Sequence, residues 1–546
     1  SIASISSQLV ASFNPPEISP TISLDLSVLP AYAGRSMFRM FAALFFSILF
    51  SIVYGYVAAH HRQAEKILVP LLDILQSVPV LGFLSVTITL FIALFPGSLM
   101  GLEAASIFAI FTSQAWNITF SFYESLRTVP KDLREAAHIY QLTPLQFFSK
   151  IELPWSMINM VWNAMMSFGG GWFFLAASEA ISVLNQNYTL PGIGSYVSAA
   201  IQAQDMRALG FAIITMSIMI LLTDQLFWRP VVAWSQTYKY ERSGSSDTNG
   251  SWVLNLIKHS HLPDLVGKIW SVLREKVILP LETRKTAVKT SYIKTAVHPT
   301  WQDKAFDLVL LLILAFFVVR GFTYVLQEVS VTEIGQVILF GAITLLRVLI
   351  LVAIATLIWT PIGVLIGFNP RFARIAQPFV QFLSSFPANF LFPFAVVFFV
   401  KSGIEINYGG ILLMALGAQW YILFNVIAGA MRIPNDMREM AINMGLHGWQ
   451  LWKKVIIPGI FPAWVTGGIT AAGGAWNASI IAEYVTWGNQ VLIAHGLGAY
   501  IAQVTASGDW PRIALGVGMM SVFVVGVNRI VWRKLYDVAE QRYHLE

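Results

Sequence analysis

The sequence predicts an all-α polytopic membrane protein made of two parallel, pseudo-symmetric helical bundles. Three observations carry this: apolar runs long enough to cross a bilayer, a bias of Lys and Arg to one side of them, and an internal repeat along most of the chain. Hydrophobic residues are 56% of the 546, charged residues only 12%. A soluble domain carries about twice that share of charge. The mean hydropathy is +0.65. The chain holds no cysteine, which excludes disulfides, thiol nucleophiles, cysteine metal sites and iron–sulfur clusters. No signal peptide is visible, and because the first residue is Ser1 a native start upstream is expected.

A helix needs roughly 20 apolar residues to cross about 30 Å of hydrocarbon. Such runs lie near 37–59, 67–95, 101–126, 156–181, 209–228, 305–326, 334–367, 376–400, 409–431, 459–485 and 513–532, about eleven spans. The longest are expected to tilt or to include an interfacial helix. Between the fifth and sixth runs, residues 235–304 are polar and hold 11 Lys and Arg. The positive-inside rule makes this stretch cytoplasmic. The loops with Arg62 and Lys66, with Arg127, Lys131, Arg134 and Lys150, with Arg371 and Arg374, and with Arg432, Arg438, Lys453 and Lys454 fall on the same side. Only Arg35, Arg207, Lys401 and Arg512 fall on the other. The expected organisation is an extracytoplasmic segment 1–35, a first transmembrane half 36–234, a basic cytoplasmic linker 235–304, and a second half 305–546 ending in the cytoplasm. The linker's charges alternate with Glu and apolar residues, which fits a solvated connector and not a nucleic-acid patch.

The repeat is exact in register over long stretches. Val129-Pro130-Lys131-Asp132-Leu133-Arg134-Glu135 matches Ile433-Pro434-Asn435-Asp436-Met437-Arg438-Glu439 at an offset of 304. The same offset pairs Pro154 with Pro458, Trp172 with Trp476, Glu179 with Glu483, Gly192-Ile193-Gly194 with Gly496-Leu497-Gly498, and Asp205 with Asp509. Upstream the offset is 308, pairing Arg39 with Arg347 and Ser77-Val78-Pro79 with Ser385-Phe386-Pro387. About six crossings separate the two copies, an even number, so the repeat is parallel. The run 305–326 has no counterpart in the first half, and a matching helix before Ser1 is expected.

Each half carries a polar segment of about 25 residues between two runs, far longer than the roughly 2–8 residues of an ordinary helix connection. Glu135-Ala136-Ala137 and Glu439-Met440-Ala441 favour a helix. Gly445-Leu446 suits a left-handed helix end, and Thr143-Pro144-Leu145-Gln146 has the form of a capping box. Each segment should be a helix, a turn and a second short helix, then Pro154 or Pro458 re-entering the membrane. Leu142, Phe147, Phe148, Leu446, Trp449 and Trp452 would give this elbow an apolar docking face.

Glu-Ala-Ala, a Gly six residues after the Glu and a Pro nineteen residues after it together resemble the EAA loop of binding-protein-dependent ABC importer permeases. The resemblance covers nearly the whole chain, twice, and is nearest to the nitrate, sulfonate and taurine branch. It implies a tandem permease of the type I importer fold in a bacterial inner membrane. It also implies that Glu135, Ala136, Ala137, Gln141, Leu142 and Pro154, with Glu439, Ala441, Gly445, Leu446 and Pro458, couple to a cytoplasmic ABC ATPase dimer. ATP and Mg would sit on that partner, with no cofactor or metal in this chain. A periplasmic substrate-binding protein is a further implied partner, and the imported solute would be a small anion such as nitrate, a sulfonate or an organic acid. Two positions depart from the motif: Met440 replaces its first Ala, and Gln141 stands where the family has Gly. A side chain in the left-handed region costs roughly 1–2 kcal/mol, so a differently built first turn is expected.

No phosphate-binding loop is present: Gly169-Gly170-Gly171-Trp172 and Gly473-Gly474-Ala475-Trp476 lack the following Lys-Ser/Thr. These glycines either permit close helix packing or unwind a helix around a substrate. Polar residues inside spans are the pathway candidates. Glu179 and Glu483 either gate the outer mouth or sit at the interface, and Arg39 and Arg347 either attract an anion or snorkel. Gln76, Ser77, Ser384 and Ser385 precede a helix-breaking Pro, and Gln114, Trp116, Asn117, Gln419, Trp420 and Asn425 occupy another equivalent pair of runs. Trp172, Trp476 and Asn477 complete the set. His60-His61 and His259-Ser260-His261 lack further ligands at metal spacing and read as solvated. A gradient-driven transporter with parallel halves is the alternative, against which the two long loops argue; a membrane enzyme or scaffold would need a catalytic cluster that the sequence does not display.

Overall fold

The computed structural model describes residues 21–95, 98–183, 186–238, 252–259, 301–487 and 490–542. Most of the segments expected at 1–35 and 235–304 lie outside the described residues. The first half runs α1 (Leu29–His60), α2 (Arg62–Ser77), α3 (Val80–Leu94), α4 (Leu99–Arg127), α5 (Lys131–Ile139), α6 (Pro144–Phe147), α7 (Leu153–Glu179), a hairpin of β1 (Ala180–Val183) and β2 (Gln186–Thr189), α8 (Ile193–Gln202), α9 (Met206–Thr223) and α10 (Arg229–Ser235). After α11 (Trp252–His259) and α12 (Trp301–Glu328) the order recurs: α13 (Val331–Gly367), α14 (Pro370–Ser385), α15 (Phe392–Ser402), α16 (Ile406–Arg432), α17 (Asn435–Asn443), α18 (Trp449–Leu451), α19 (Ile457–Ala482), β3 (Tyr484–Trp487), β4 (Gln490–Ile493), α20 (Leu497–Ser507), α21 (Trp510–Val527) and α22 (Arg533–Arg542).

Local chemistry sets these boundaries. Asp205 caps α9 by accepting from the backbone N–H of Arg207 and Ala208, and Asp509 caps α21 by accepting from Arg512 N–H. Ser98 and Ser330 cap α4 and α13 in the same way. Pro79 and Pro387 cannot donate a helical N–H, so each half has a bend where α2 gives way to α3 and α14 to a short 3₁₀ turn before α15. Single π-helical turns occur at Phe148–Glu152 and Asp224–Trp228, and again at Trp452–Ile456 and Asn528–Trp532. The 304-residue offset thus holds even for these local irregularities.

Among the described residues, seven helices are long and apolar enough to cross a membrane. About eleven runs in the sequence are apolar enough to qualify. The runs near 67–95 and 376–400 are each two shorter helices around a Pro break, and α4 and α7 carry polar residues along their length. The runs ending near 181 and 485 stop earlier, at Glu179 and Ala482, where the chain turns into antiparallel hairpins. Those four-residue apolar strands were indistinguishable from the ends of spans.

Each half has its own core. One gathers around Met40, Phe122, Phe168 and Trp172, the other around Leu413, Ile422 and Trp476. Helices in lipid gain little from apolar burial alone and associate through close packing of small residues. Gly55 on α1 meets Phe122 on α4, and the equivalent Gly363 on α13 meets Val426 on α16. Outward faces are apolar and bare, as at Phe38, Phe45, Leu49 and Val53 on α1 and along most of α12.

The halves interlock by exchanging arms. Phe390, beside α14, joins the first half's core, whereas Val80, Leu84 and Ile88 of α3 join the second half's. The backbone N–H of Val80 donates to Asn477 Oδ1 at 3.0 Å, and Ser385 at the end of α14 abuts Gly169 of α7. At the far end of each arm the contact is polar. Gln381 Nε2 donates to Asp224 Oδ1 at 3.5 Å, and Asp73 lies in the field of Arg529 and Arg533. The β1 hairpin touches α20, so the hairpin ends of both bundles lie together and the repeat is parallel. Gly82 of α3 faces Val517 of α21 so closely that a Cβ would come within 2.8 Å of it. Gly82→Leu should therefore wedge the halves apart and cost about 1–3 kcal/mol, read as a lowered unfolding midpoint in detergent. Gly34→Leu, where no atom lies within 4 Å, should leave the midpoint unchanged.

Candidate functional site

The two polar loops fold into the same elbow. In α5, Tyr140 N–H donates to Ala136 O at 2.9 Å and Leu142 N–H to Ala137 O at 3.0 Å; in α17, Met444 N–H donates to Met440 O and Leu446 N–H to Ala441 O, both at 3.0 Å. This is the Schellman-type ending, which places one residue in the left-handed region. That residue is Gly445 with φ 78° in one copy and Gln141 with φ 49° in the other. The first turn is therefore built like the second, contrary to expectation: the bond pattern outweighs the modest strain of a Cβ. Thr143 and Gln146 form the expected capping box, with Thr143 N–H donating to Gln146 Oε1 at 3.0 Å. The second copy enters α18 through Gly448 at φ 54° instead. Pro154 and Pro458 follow directly on the π-helical turns Phe148–Glu152 and Trp452–Ile456, within continuous helical runs, and the wider turn accommodates the missing N–H.

Arg134 and Arg438 hold the elbows in place. Arg134 Nη2 donates to the carbonyls of Leu126 and Arg127 at 3.2 and 3.3 Å, the end of α4. Arg438 lies over the ring of Phe368 at 3.8 Å. Glu135 and Glu439 are exposed, Ala137 and Ala441 are buried, and Ala136, Leu142 and Leu446 are half-buried. The bare apolar surface is only partly the one anticipated: Trp449 is exposed as expected, but most of its companions are not. Phe147 is buried, and Phe148 and Trp452 pack against the cores, whereas Ile139, Tyr140, Met440 and Met444, not anticipated, are exposed. Helix periodicity over such short segments is too brief to tell the two faces apart. His60, read as solvated, instead pairs with the buried Glu152 at 3.0 Å beneath the first elbow. Among the described residues no cluster of metal-ligating type occurs.

Arg39, Glu179, Arg347 and Glu483 form two buried ion pairs and do not snorkel to an interface. Arg39 Nη1 meets Glu179 Oε1 at 2.6 Å, and Arg347 Nη1 meets Glu483 Oε1 at 2.7 Å, all four side chains being buried. Glu179 Oε2 accepts from Gly194 N–H at 2.7 Å, and Glu483 Oε2 from Gly498 N–H at 2.8 Å, so each carboxylate also meets the positive end of a helix. Ser36 and Thr344 complete the two sites by donating to Glu179 at 2.6 Å and Glu483 at 2.9 Å. A Cβ at Gly192 or Gly496 would overlap the carboxylate, and one at Gly194 or Gly498 the carbonyl of Ala176 or Ser479. The paired Gly-x-Gly turns exist for this close approach. Arg39 is further held at 2.6 Å by Glu103, where the second half has Asn407.

The remaining pathway candidates divide by location. Trp172 and Trp476 are core side chains, 1% and 2% exposed. Gln114 is buried beside Gly171 with neither amide atom bonded, and Trp116 packs on Phe50 and Phe111. Gln419 accepts from Trp359 Nε1 at 2.9 Å, Trp420 donates to Leu416 O, and Asn425 to Tyr421 O. Asn117 donates to Ser167 Oγ at 2.9 Å. Gln76 is exposed at the end of α2, beside Ser77, and Ser384 turns back onto Gln381 O. Ser385 and Gln381 line a small cleft between the halves with Met165, Gly169, Asp224 and Trp228. Sequence reasoning missed Ser36, Glu103, Asp224 and Thr344. The Ser36–Thr344 pair was findable, since it keeps the 308 offset of Arg39 and Arg347.

Residues 32–227 and 359–542, together well over half of the chain, match the family described as "Binding-protein-dependent transport system inner membrane component". Among curated proteins, the chain is 30% identical over 136 residues to a bicarbonate transport system permease protein of Synechococcus elongatus, covering 25% of this chain and 48% of the relative. It is 26% identical over 190 residues to a nitrate import permease protein of Leptolyngbya laminosa, covering 35% of this chain and 64% of the relative. The chain thus spans less than two thirds of the length of either relative.

The buried pairs make a stability prediction. Arg347→Met or Glu483→Leu alone leaves a charge unmatched in the protein interior and should cost about 3–5 kcal/mol, whereas the double variant should recover most of it. Unfolding midpoints of the three purified variants check this. A double variant no more stable than the singles would deny that the pair acts as a unit.

Proposed function

The chain belongs to the family of binding-protein-dependent transport system inner membrane components, and from that premise we propose that it is the fused permease of an ATP-driven importer. In this reading the two halves, 36–234 and 305–546, lie in a bacterial inner membrane with the linker 235–304 and the C-terminus in the cytoplasm and residues 1–35 outside. Lys and Arg crowd on the side of the elbows, which supports that orientation. A separate ABC ATPase dimer, carrying ATP and Mg, grips both elbows, and a periplasmic binding protein delivers the solute. The solute is a small oxyanion, a reading supported by relatives named for bicarbonate transport and nitrate import. This chain itself performs no hydrolysis; its work is alternating access.

The observation that carries the proposal is the duplicated elbow. Each copy ends in the same Schellman-type bond pattern and presents an exposed Glu beside bare apolar residues, Ile139 and Tyr140 in one copy, Met440 and Met444 in the other. A surface of that kind fits a groove on a protein partner. The arms exchanged between halves would convert a change in elbow separation into a rearrangement of the central interface.

Reconstituted with its ATPase in proteoliposomes, the complex should take up nitrate or bicarbonate with ATP, and vanadate should stop it. Uptake driven by an ion gradient with no ATPase bound would overturn the proposal. The double substitution Glu135→Arg and Glu439→Arg should weaken ATPase association by at least about 10-fold, the scale of losing two interface charges, while the unfolding midpoint stays at the wild-type value.

A further inference from the structure

The polar side chains near the central interface are nearly all committed. Asn117 donates to Ser167, Asn477 accepts from Val80 and donates to Gly473 O, and Arg39 and Arg347 are neutralised by their Glu partners. Tyr421, like the Gln114 amide and the Trp228 indole N–H, is not committed. It sits near the middle of α16, and its ring reaches the glycines that the repeat makes equivalent, Gly170 on α7 and Gly474 on α19. A Cβ on Gly170 would lie 3.7 Å from the Tyr421 hydroxyl, and one on Gly474 would lie 3.5 Å from the ring. One side chain therefore bridges both inner helices, one from each half. Its ring is only half-buried despite that central position, as expected where side chains border an open space.

The hydroxyls of Tyr54, Tyr123, Tyr196 and Tyr500 all donate to an acceptor. Among the described residues the Tyr421 hydroxyl, like those of Tyr56, Tyr408 and Tyr484, has none, but of these only Tyr421 reaches both inner helices. Bordering open space and not engaged by the protein, this hydroxyl is free to donate to a passing group. The repeat breaks at this place, since the 304 offset puts Asn117 opposite Tyr421, so the interface presents one phenol and not two. A neutral donor suits transit: it replaces part of an anion's hydration without holding the ion as a fixed cation would.

We propose that Tyr421 is the mid-membrane plug of the transport path, filling the gap between Gly170 and Gly474 when the halves are closed and donating its hydroxyl to an oxygen of the passing oxyanion as they part. The donor role rests on the importer reading; the plug does not.

The test compares wild type, Y421F and Y421A, each reconstituted with the ATPase in proteoliposomes and each checked for intact assembly by size-exclusion chromatography. Two quantities are measured: the KM of ATP-driven nitrate uptake and the passive nitrate influx without ATP. Y421F should raise KM about 10-fold, the scale of a lost hydrogen bond to a charged group, with passive influx as in wild type. Y421A should raise passive influx by at least about the same factor. A Y421F KM within about twofold of wild type overturns the donor role, and unchanged influx in Y421A overturns the plug. Leak through Y421A with no ATP-driven uptake in wild type would sink the importer reading and leave the plug standing. Uptake indifferent to both substitutions would do the reverse.

Discussion

The architecture depends on two carboxylates shut away from water. Glu179 and Glu483 each sit at the corner where an inner helix, a hairpin and the start of a short helix meet, and each is satisfied there by an arginine, a hydroxyl and a backbone N–H. An unpaired ion in that setting would be prohibitive, so the surrounding chain has one acceptable geometry. The arginine fixes the rotation of α1 or α13, the amide fixes the start of α8 or α20, and the glycines keep the approach open. Helices in lipid lack a strong apolar drive to choose a rotation, and a buried charge cluster supplies that choice.

Much of this was legible in the sequence, for identifiable reasons. Apolar runs follow from the length needed to cross a bilayer, and the prolines at 79 and 387 announce their breaks. The constant 304 spacing from Glu135 to Glu439 and from Asp205 to Asp509 gave the repeat, and the structure shows that the aspartates keep register because they cap equivalent helices. What could not be read was pairing across distance. Arg39 and Glu179 were each singled out, but they lie 140 residues apart, and nothing in periodicity says that one neutralises the other. The hairpins were hidden for the opposite reason: Ala180–Val183 and Tyr484–Trp487 continue the apolar composition of the helices before them.

The two halves share a plan and differ in its details. Gln141 accepts the conformation that Gly445 adopts freely, and a Thr–Gln capping box in one elbow is replaced by a Gly entrance in the other. His60 and Glu152 fasten the first elbow, whereas the second uses Arg438 over Phe368. The duplicated backbone bonds set the shape common to both, and the side chains are free to diverge wherever a different contact can fill the same space.

The polar tips of the exchanged arms bear on stoichiometry. Asp73 on the first arm lies in the field of Arg529 and Arg533, while Gln381, its counterpart on the second, donates to Asp224. Were two copies of the first half to associate with each other, Asp73 would meet Asp224 and trade Arg529 for Gln225, keeping Arg229 in place of Arg533; two copies of the second would set Gln381 opposite Asn528, an amide pair in place of an amide–carboxylate contact. The mixed pairing thus has the better-matched tips, and covalent fusion keeps the two unlike halves together in every molecule made.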